Sequence, residues 1–177
     1  MPENGRGSEA PERSQAPESF EAFARASQRR LFRIAYLLCG DMDTAGDLTQ
    51  TTLAKMFQNW RRAGAADNIE AYATTVLTRT FLAERRRRLR DLLEHRRSGS
   101  RPVPDHTDLR VTLLSALAGL PPKARAMVVL RYWEDQSVES VAELMKCSES
   151  TVKSQCSRSL GKLRAQLGEA HIYTAGS

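Results

Sequence analysis

The chain has 177 residues with a hydrophobic fraction of 41%, enough to bury the core of one ordinary domain or of two small ones. No apolar stretch approaches the roughly 18 residues needed to cross a bilayer, and no secretory signal precedes the first helix, so we expect neither secretion nor membrane insertion. The three cysteines are odd in number and lack metal-ligand spacing, which favours a reducing cytosol.

The net charge of +6 is concentrated in one segment of the chain. Residues 85–101 contain eight arginines against two acidic residues, so this segment accounts for the whole excess. A localised cationic segment is typical of a surface that contacts phosphates. The alternative is a solvated helix end, which the same run of charges would also produce.

From Phe20 onward the apolar residues recur with the period of three successive helices. The first helix ends at Gly40, a residue suited to the left-handed conformation that closes helices. The second begins near Asp43, and the third covers about residues 69–90. Between the second and third helices, residues 61–68 break the pattern with glycine and small side chains. The predicted inner stripe of the second helix is Leu48, Thr52, Leu53, Met56, Phe57 and Trp60.

Two segments have compositions that do not favour folding. Residues 1–18 are rich in Pro, Gly, Ser and charge, and we expect a disordered tail. Residues 93–107 include Pro, Gly and Ser and are predicted to be a flexible linker. Because β-alternation of useful length is missing from the sequence, the fold class is all-α. We expect two small helical domains, at 19–92 and 108–170, and a terminal tail at 171–177.

The carboxy-terminal half begins with two predicted helices. Gly119 and Leu120 stop the first, and Pro121-Pro122 begin the second, which continues to Trp133. These helices precede the most informative pattern in the chain.

Residues 137–164 have the pattern of two short helices joined by a tight turn, each with one apolar face. The turn is Lys146-Cys147-Ser148, in which Ser148 is suited to cap the second helix. This plan is the helix-turn-helix, whose second helix enters the major groove of DNA. The alternative is an ordinary helical hairpin with a solvated basic face. The polar residues expected to face DNA are Ser150, Thr151, Lys153, Ser154 and Arg158.

Four stretches in this order resemble the extracytoplasmic-function sigma factors of the sigma-70 family, in their actinobacterial form. Residues 45–60, AGDLTQTTLAKMFQNW, resemble region 2.2, and residues 68–90, NIEAYATTVLTRTFLAERRRRLR, resemble regions 2.3 and 2.4. Residues 117–137, LAGLPPKARAMVVLRYWEDQS, resemble region 4.1, and residues 141–164, VAELMKCSESTVKSQCSRSLGKLR, resemble region 4.2.

This resemblance implies a non-catalytic specificity subunit of bacterial RNA polymerase that uses no cofactor and no metal. It implies a region 2 helical bundle and a region 4 helix-turn-helix that bind the −10 and −35 promoter elements. The implied partners are core RNA polymerase, through its β′ clamp helices and β flap, promoter DNA, and an anti-sigma factor. The implied location is the cytoplasm, in association with the nucleoid and without membrane insertion.

The resemblance also assigns roles to individual residues. Those implied to contact core polymerase are Asp47, Leu48, Gln50 and Thr51. Those implied to contact −10 DNA are Asn68, Arg79, Arg85, Arg86, Arg87 and Arg88. The −35 element would be contacted by the polar residues of the second helix-turn-helix helix named above.

Several positions depart from the family pattern. Gly46 stands where an acidic residue is usual, which weakens the helix. Arg79 replaces a common Asn, and Gln155-Cys156 replaces a common Arg-Leu pair. Cys147 replaces the usual glycine of the turn, so we expect the turn to contain a strained backbone.

The residues by themselves leave other functions open. A helix-turn-helix regulator that binds an operator as a dimer is one, although the sequence lacks dimerisation heptads. An enzyme acting on DNA is another, but it needs converging catalytic groups, and His95, His106 and His171 lie apart in the sequence. A redox role is a smaller hypothesis, since Cys147 and Cys156 lie at and beyond the turn.

Overall fold

The computed structural model describes residues 19–95 and 109–174, and all regular structure within these residues is helical, which confirms the all-α prediction for them. The tail predicted at 1–18, most of the linker predicted at 93–107, and residues 175–177 lie outside the described residues. The helices are α1 (Phe20–Cys39), α2 (Met42–Gln58), α3 (Trp60–Ala63), α4 (Ile69–His95), α5 (Leu109–Ala118), α6 (Pro122–Val128), a π-helix (Val129–Trp133), α7 (Val138–Met145) and α8 (Glu149–Thr174).

The amino-terminal half is a bundle in which α1 packs against α2 and α4. Its centre contains Leu31 and Ile34 of α1, Met56 of α2, and Leu77 and Phe81 of α4, all essentially inaccessible to solvent. Burying a side chain of this size contributes about 1.5–3 kcal/mol relative to leaving it exposed. The apolar periodicity therefore predicted the inner faces of α1 and α4 correctly.

The ends of α1 and α2 follow from local hydrogen bonds. Gly40 adopts φ 75°, the left-handed conformation predicted for it, and its N–H donates to the carbonyl of Tyr36 at 2.8 Å. Asp41 then caps α2, because its Oδ2 accepts from the backbone N–H of Thr44 at 2.8 Å. That hydrogen bond lowers the pKa of the Asp41 carboxyl. The helix consequently begins one residue before the predicted Asp43.

Two predictions for the end of α2 were wrong. Residues 61–68 are not entirely a loop, because α3 extends helical structure as far as Ala63, whose side chain is fully buried. Phe57 is 61% exposed and does not belong to the core. Its ring instead makes an edge contact with Phe20, at a centroid distance of 5.1 Å.

Helix α4 is longer than predicted, and its inner face is partly polar. It continues through His95 instead of ending near Arg90. Its buried residues include Thr74, Thr78 and Thr80, whose hydroxyls donate to the carbonyl four residues earlier at 2.8–3.1 Å. Because these bonds satisfy the hydroxyls within the helix, threonine can occupy the core at little cost.

The carboxy-terminal half packs around α8, which contacts α5, α6 and α7. Helix α5 ends before Gly119 and α6 begins at Pro122, as the sequence predicted. The sequence did not predict the π-helix that continues α6. At its end the N–H of Glu134 donates to the carbonyl of Val129 at 3.1 Å, five residues back instead of four.

The two halves contact each other, because α1 also packs against α5, α6 and the π-helix. Arg125 is 5% exposed and donates to the carbonyls of Leu38 (2.5 Å), Ala118 (2.9 Å) and Leu120 (3.1 Å). It therefore satisfies carbonyls left open at the ends of α1 and α5. Burial and the nearby Arg85 lower the pKa of Arg125 to about 10, so the guanidinium stays charged at neutral pH. None of the helices in the described ranges is sufficiently long and apolar to cross a membrane.

The turn between α7 and α8 contains the strained backbone that the sequence predicted for it, and the residue that carries the strain is Lys146. Lys146 has φ 52° and closes α7 in the left-handed conformation, while Cys147 does not have a positive φ. The N–H of Cys147 donates to the carbonyl of Ala142 at 3.0 Å. Closing α7 after Met145 requires a left-handed residue in the next position, and that position is Lys146.

Replacing Gly46 by alanine is expected to raise the free energy of unfolding by about 0.5–1 kcal/mol, measured by urea denaturation. Gly46 lies inside α2, and a Cβ added there meets nothing within 4 Å. The matched control is Gly40→Ala, which has the same open surroundings but a φ of 75°. Gly40→Ala should lower the free energy of unfolding by about 1–2 kcal/mol. Equal effects of the two substitutions would contradict the conclusion that Gly40, but not Gly46, needs the left-handed conformation.

Replacing Lys146 by glycine is expected to stabilise the protein by about 0.5–1 kcal/mol, because glycine adopts the left-handed conformation without the steric cost that lysine pays. Cys147→Gly is the control one residue later. It should destabilise the protein by a similar amount, since it only adds conformational freedom to the unfolded chain. Thermal unfolding of both variants measures the difference, and a gain from Cys147→Gly alone would reverse our placement of the strain.

Candidate nucleic-acid interface

Helices α7 and α8 form the predicted helix-turn-helix. Val141 and Met145 of α7 and Val152 and Cys156 of α8 are buried on the facing sides of the two helices. The hydroxyl of Ser148 accepts a hydrogen bond from the backbone N–H of Thr151 at 3.2 Å, so Ser148 is the N-cap, as predicted. This packing fixes which side of α8 remains in solvent.

All five polar residues predicted to face DNA are exposed in the first turns of α8. The hydroxyl of Ser148 lies 2.9 Å from that of Ser150 and 2.8 Å from that of Thr151. The hydroxyl of Ser154 donates to the carbonyl of Thr151 at 3.1 Å. The helix therefore begins with a group of hydroxyls at its N-terminus, an arrangement that suits phosphate oxygens.

The two cations among these residues form only weak contacts. Lys153 Nζ lies 3.5 Å from a carboxylate oxygen of Glu149, and both side chains are more than half exposed. Arg158 Nη2 donates to Gln155 Oε1 at 3.2 Å in a similarly exposed position. Exposed pairs of this kind contribute about 0–1 kcal/mol, so both cations can exchange these partners for DNA.

Cys156 lies behind this surface and is 3% exposed. Burial raises the pKa of its thiol, which disfavours the reactive thiolate. Cys156 thus fills space between α7 and α8 as a small apolar side chain, a role that buried cysteines often have.

The residues implied to contact −10 DNA lie on or next to α4, in different environments. Asn68 is exposed, and its Oδ1 accepts from the N–H of Ala71 at 3.0 Å, so it caps α4. Arg79 is exposed. Arg85 is half-buried, with its guanidinium 5.5 Å from the centroid of the Phe81 ring. The next three arginines of the cationic segment are exposed: Arg86, Arg87 and Arg88.

The residues implied to contact core polymerase do not all lie at the surface. Asp47 and Gln50 are exposed and Thr51 is half-exposed, at successive turns of α2. Leu48 is 0% exposed, so its prediction as a contact residue was wrong. It belongs to the core beneath α1 and holds α2 in place.

The apolar surface next to Gln50 was not predicted from the sequence. An open groove of about 800 Å³ runs between α1 and α2, with Phe32 and Leu53 among its partly buried residues. Gly46, at which the sequence departs from the family pattern, also lies on this groove. Its cationic members come from α1 and are Arg25, Arg29 and Arg33. Arg25, Arg29 and Phe32 follow each other at steps of four and three residues, so they share one face of α1. This spacing was the signal that could have indicated the groove.

No cluster of three or more His, Cys, Asp or Glu side chains suited to hold a metal ion occurs within the part of the chain that the structure describes. The surfaces described above consist of cations, hydroxyls and one partly apolar groove. They fit the binding of a polyanion and of protein helices.

Two family descriptions match the chain, one in each half. The family description "Sigma-70 region 2" matches residues 11–91, and "Sigma-70, region 4" matches residues 110–163. The RNA polymerase sigma-E factor of Streptomyces coelicolor is 34% identical over 151 residues, covering 84% of this chain and 85% of the relative. The ECF RNA polymerase sigma factor SigL of Mycobacterium tuberculosis is 30% identical over 150 residues, covering 80% and 85%.

A solved structure is also similar. The sigma factor RpoE from Bartonella quintana, in complex with the anti-sigma factor NepR, has a TM-score of 0.71 and 26% sequence identity, covering 84% of this chain and 96% of that one. Both family descriptions and these relatives indicate the same family. The chain belongs to the extracytoplasmic-function sigma factors of the sigma-70 family.

Proposed function

We propose that the chain binds core RNA polymerase and selects promoters by contacting −35 DNA through α8 and −10 DNA through α4. The observation that carries this proposal is the exposure of all five predicted −35 residues on one capped helix whose opposite side is core. The chain supplies specificity, and the catalytic residues belong to the polymerase.

The start of α8 has the chemistry needed to approach the −35 element. The helix N-terminus attracts phosphate through its free N–H groups and its dipole, and Ser150 and Thr151 add hydroxyls there. Lys153 and Arg158 lie further along the exposed side, where they can donate to base edges or phosphates in the major groove. The first group positions the helix, and the second contributes sequence preference.

The cationic run on α4 has a different role in the proposal. Arg86, Arg87 and Arg88 are exposed and can pair with phosphates, which supplies affinity without sequence choice. Arg85 contributes less, because its guanidinium already lies over Phe81. Asn68 and Arg79 are placed nearer the beginning of α4 and contact the opened −10 strand.

The polymerase surface combines a polar edge with an apolar centre, as protein interfaces commonly do. Asp47, Gln50 and Thr51 provide the polar edge on α2. Phe32 and Leu53 provide the apolar centre in the adjoining groove. We assign this surface to the clamp helices of the β′ subunit, and the β flap to region 4.

The remaining assignments follow from family membership. The two binding regions extend over residues 19–92 and 108–170, and the segment 93–107 tethers them across the polymerase. An anti-sigma factor is a further partner, supported by the similar fold of a sigma factor solved in complex with one. The protein acts in the cytoplasm, on the nucleoid.

Lys153→Ala and Arg158→Ala are each expected to reduce −35-dependent initiation by an amount equivalent to about 1–3 kcal/mol, if each side chain contacts a base. The measurement is run-off transcription with core polymerase on the DNA upstream of the chain's own gene and on genomic fragments. Lys162→Ala is the matched control, because it removes the same charge from an exposed position further along α8. Normal initiation by both variants would exclude Lys153 and Arg158 as contacts to the −35 element. The absence of any transcript with the unmodified chain would reject the function.

Asp47→Ala is expected to weaken binding to core polymerase by about 1 kcal/mol or more without changing the free energy of unfolding, because the side chain is exposed. Leu48→Ala should instead lose about 2–5 kcal/mol of stability, because the side chain is buried. Asp43→Ala removes the same charge one turn earlier on α2 and serves as the binding control. If Asp47→Ala and Asp43→Ala bind core polymerase equally well, the contact lies elsewhere.

A further inference from the structure

The last turns of α4 have no buried face. Every residue in the range 86–94 is exposed, and the last buried apolar residue of α4 before this range is Phe81. The exposed residues include three leucines, Leu89 (59%), Leu92 (57%) and Leu93 (57%). A helix at the surface of a globular protein normally buries its apolar side against the core. The end of α4 instead presents leucines that have no apolar partner within the described part of the chain.

The three leucines form a stripe with cations along both of its edges. Their spacing of three residues and then one residue places them on one side of an α-helix. Arg86 and Arg90 lie along one edge of this stripe, and Arg88 lies along the other edge. We call the surface made by these six side chains the basic leucine face.

The carboxylates of this segment lie on the other side of the helix. Asp91 and Glu94 follow Leu89 by two and five residues, so the helical turn places both of them across the helix from the leucines. The basic leucine face therefore combines positive charge with hydrocarbon and does not include the acidic side chains of its own helix.

This combination selects among the surfaces that could cover the leucines. DNA phosphates can pair with the arginines, but they offer the leucines no apolar contact. A second copy of the chain would cover the leucines only by bringing together the arginines of both copies, whose like charges repel each other. An anionic lipid bilayer offers both components, because its headgroups carry negative phosphates and its acyl chains are hydrocarbon.

The shape of the basic leucine face also suits a bilayer. The leucines lie on a single helix whose neighbouring residues are all exposed, so the face is a ridge and not a groove. Lipids rearrange around a ridge, whereas a folded protein has to offer a groove of matching shape. The arginines on the two edges have long side chains, which keep their guanidinium groups among the headgroups while the leucines reach the acyl chains.

We propose that the end of α4 is a peripheral membrane-binding helix, whose basic leucine face binds bilayers that contain anionic phospholipids. The helix lies in the plane of the headgroups and does not cross the bilayer. The arginines supply electrostatic attraction and the leucines supply apolar burial, and both contribute to binding. This inference goes beyond the proposed function and does not use it, because membrane binding requires neither polymerase nor promoter DNA.

The test is co-sedimentation of the full chain with lipid vesicles at physiological ionic strength. One set of vesicles contains phosphatidylcholine alone, and the other contains phosphatidylcholine and phosphatidylglycerol in equal parts. The chain should bind the mixed vesicles at least about tenfold more tightly, and added salt should weaken this binding. Equal binding to both sets of vesicles, or binding to neither, would overturn the proposal.

Leu92→Gln tests the apolar part of the face. Glutamine has nearly the same helix propensity as leucine, so the variant keeps the helix and every charge. It should weaken binding to the mixed vesicles about tenfold, because less hydrocarbon is buried. Leu113→Gln is the matched control, since Leu113 is also exposed but lies on α5, and this variant should bind as the unmodified chain does. Equal binding by the two variants would contradict a role for the leucine stripe.

Arg90→Gln tests the cationic edge of the face in the same assay. It should weaken binding to the mixed vesicles about fivefold, because an arginine near an anionic surface contributes to the attraction. Arg164→Gln removes the same charge from an exposed position on α8 and should have a smaller effect. Equal losses in both variants would show that net charge alone attracts the chain, and the basic leucine face would be rejected.

Two further measurements identify a different occupant if the vesicles do not bind. Sedimentation equilibrium that shows a dimer, lost in Leu92→Gln, would assign the face to a second copy of the chain. Weaker binding of Leu92→Gln to core polymerase would assign the face to the polymerase. Either result without vesicle binding overturns the membrane proposal. Because the vesicle assay contains the chain alone, a failure there leaves the proposed function untouched, and run-off transcription tests that function separately.

Discussion

The structure depends on α8 having one side buried in the core and the other side exposed to solvent. Val152, Cys156 and Leu163 are buried against the neighbouring helices, while the polar residues between them remain in solvent. Because an α-helix is rigid over this length, the packing of its inner side determines the direction of its outer side. The DNA-facing surface is thus positioned by the hydrophobic core, and a change in core volume would rotate or displace it.

The hydrogen bonds at the helix starts extend this coupling between stability and function. Ser148 ends the turn, caps α8 and lies within hydrogen-bond distance of the hydroxyls of Ser150 and Thr151. Asn68 similarly caps α4 while it lines a cleft together with Arg79. At both proposed DNA contacts, the residue that begins the helix also organises the polar groups around it.

Much of this fold could be predicted from the sequence, because its signals are local. The apolar period of α1, the glycine after it and the stripes of the helix-turn-helix each depend on residues within a few turns. The wrong predictions concern residues whose burial depends on the packing of a neighbouring helix. Leu48 and Phe57 belong to one wide apolar stripe, and only the position of α1 determines that Leu48 is buried and Phe57 exposed. The strain in the turn was predicted, but the sequence did not indicate that Lys146 is the left-handed residue.

The contacts between the halves lie beyond any local signal, because they join residues that are far apart in the sequence. Arg30 and Glu134 are 104 positions apart, and Arg125 and Leu38 are 87 apart, so no periodicity links them. Each half has its own buried apolar residues, whose exposure to water would be costly. The joining hydrogen bonds instead come from arginines, whose partners can be replaced by water, by another carboxylate or by a DNA phosphate. Buried apolar residues of both halves also belong to one hydrophobic cluster, so apolar packing and arginine hydrogen bonds together join the halves.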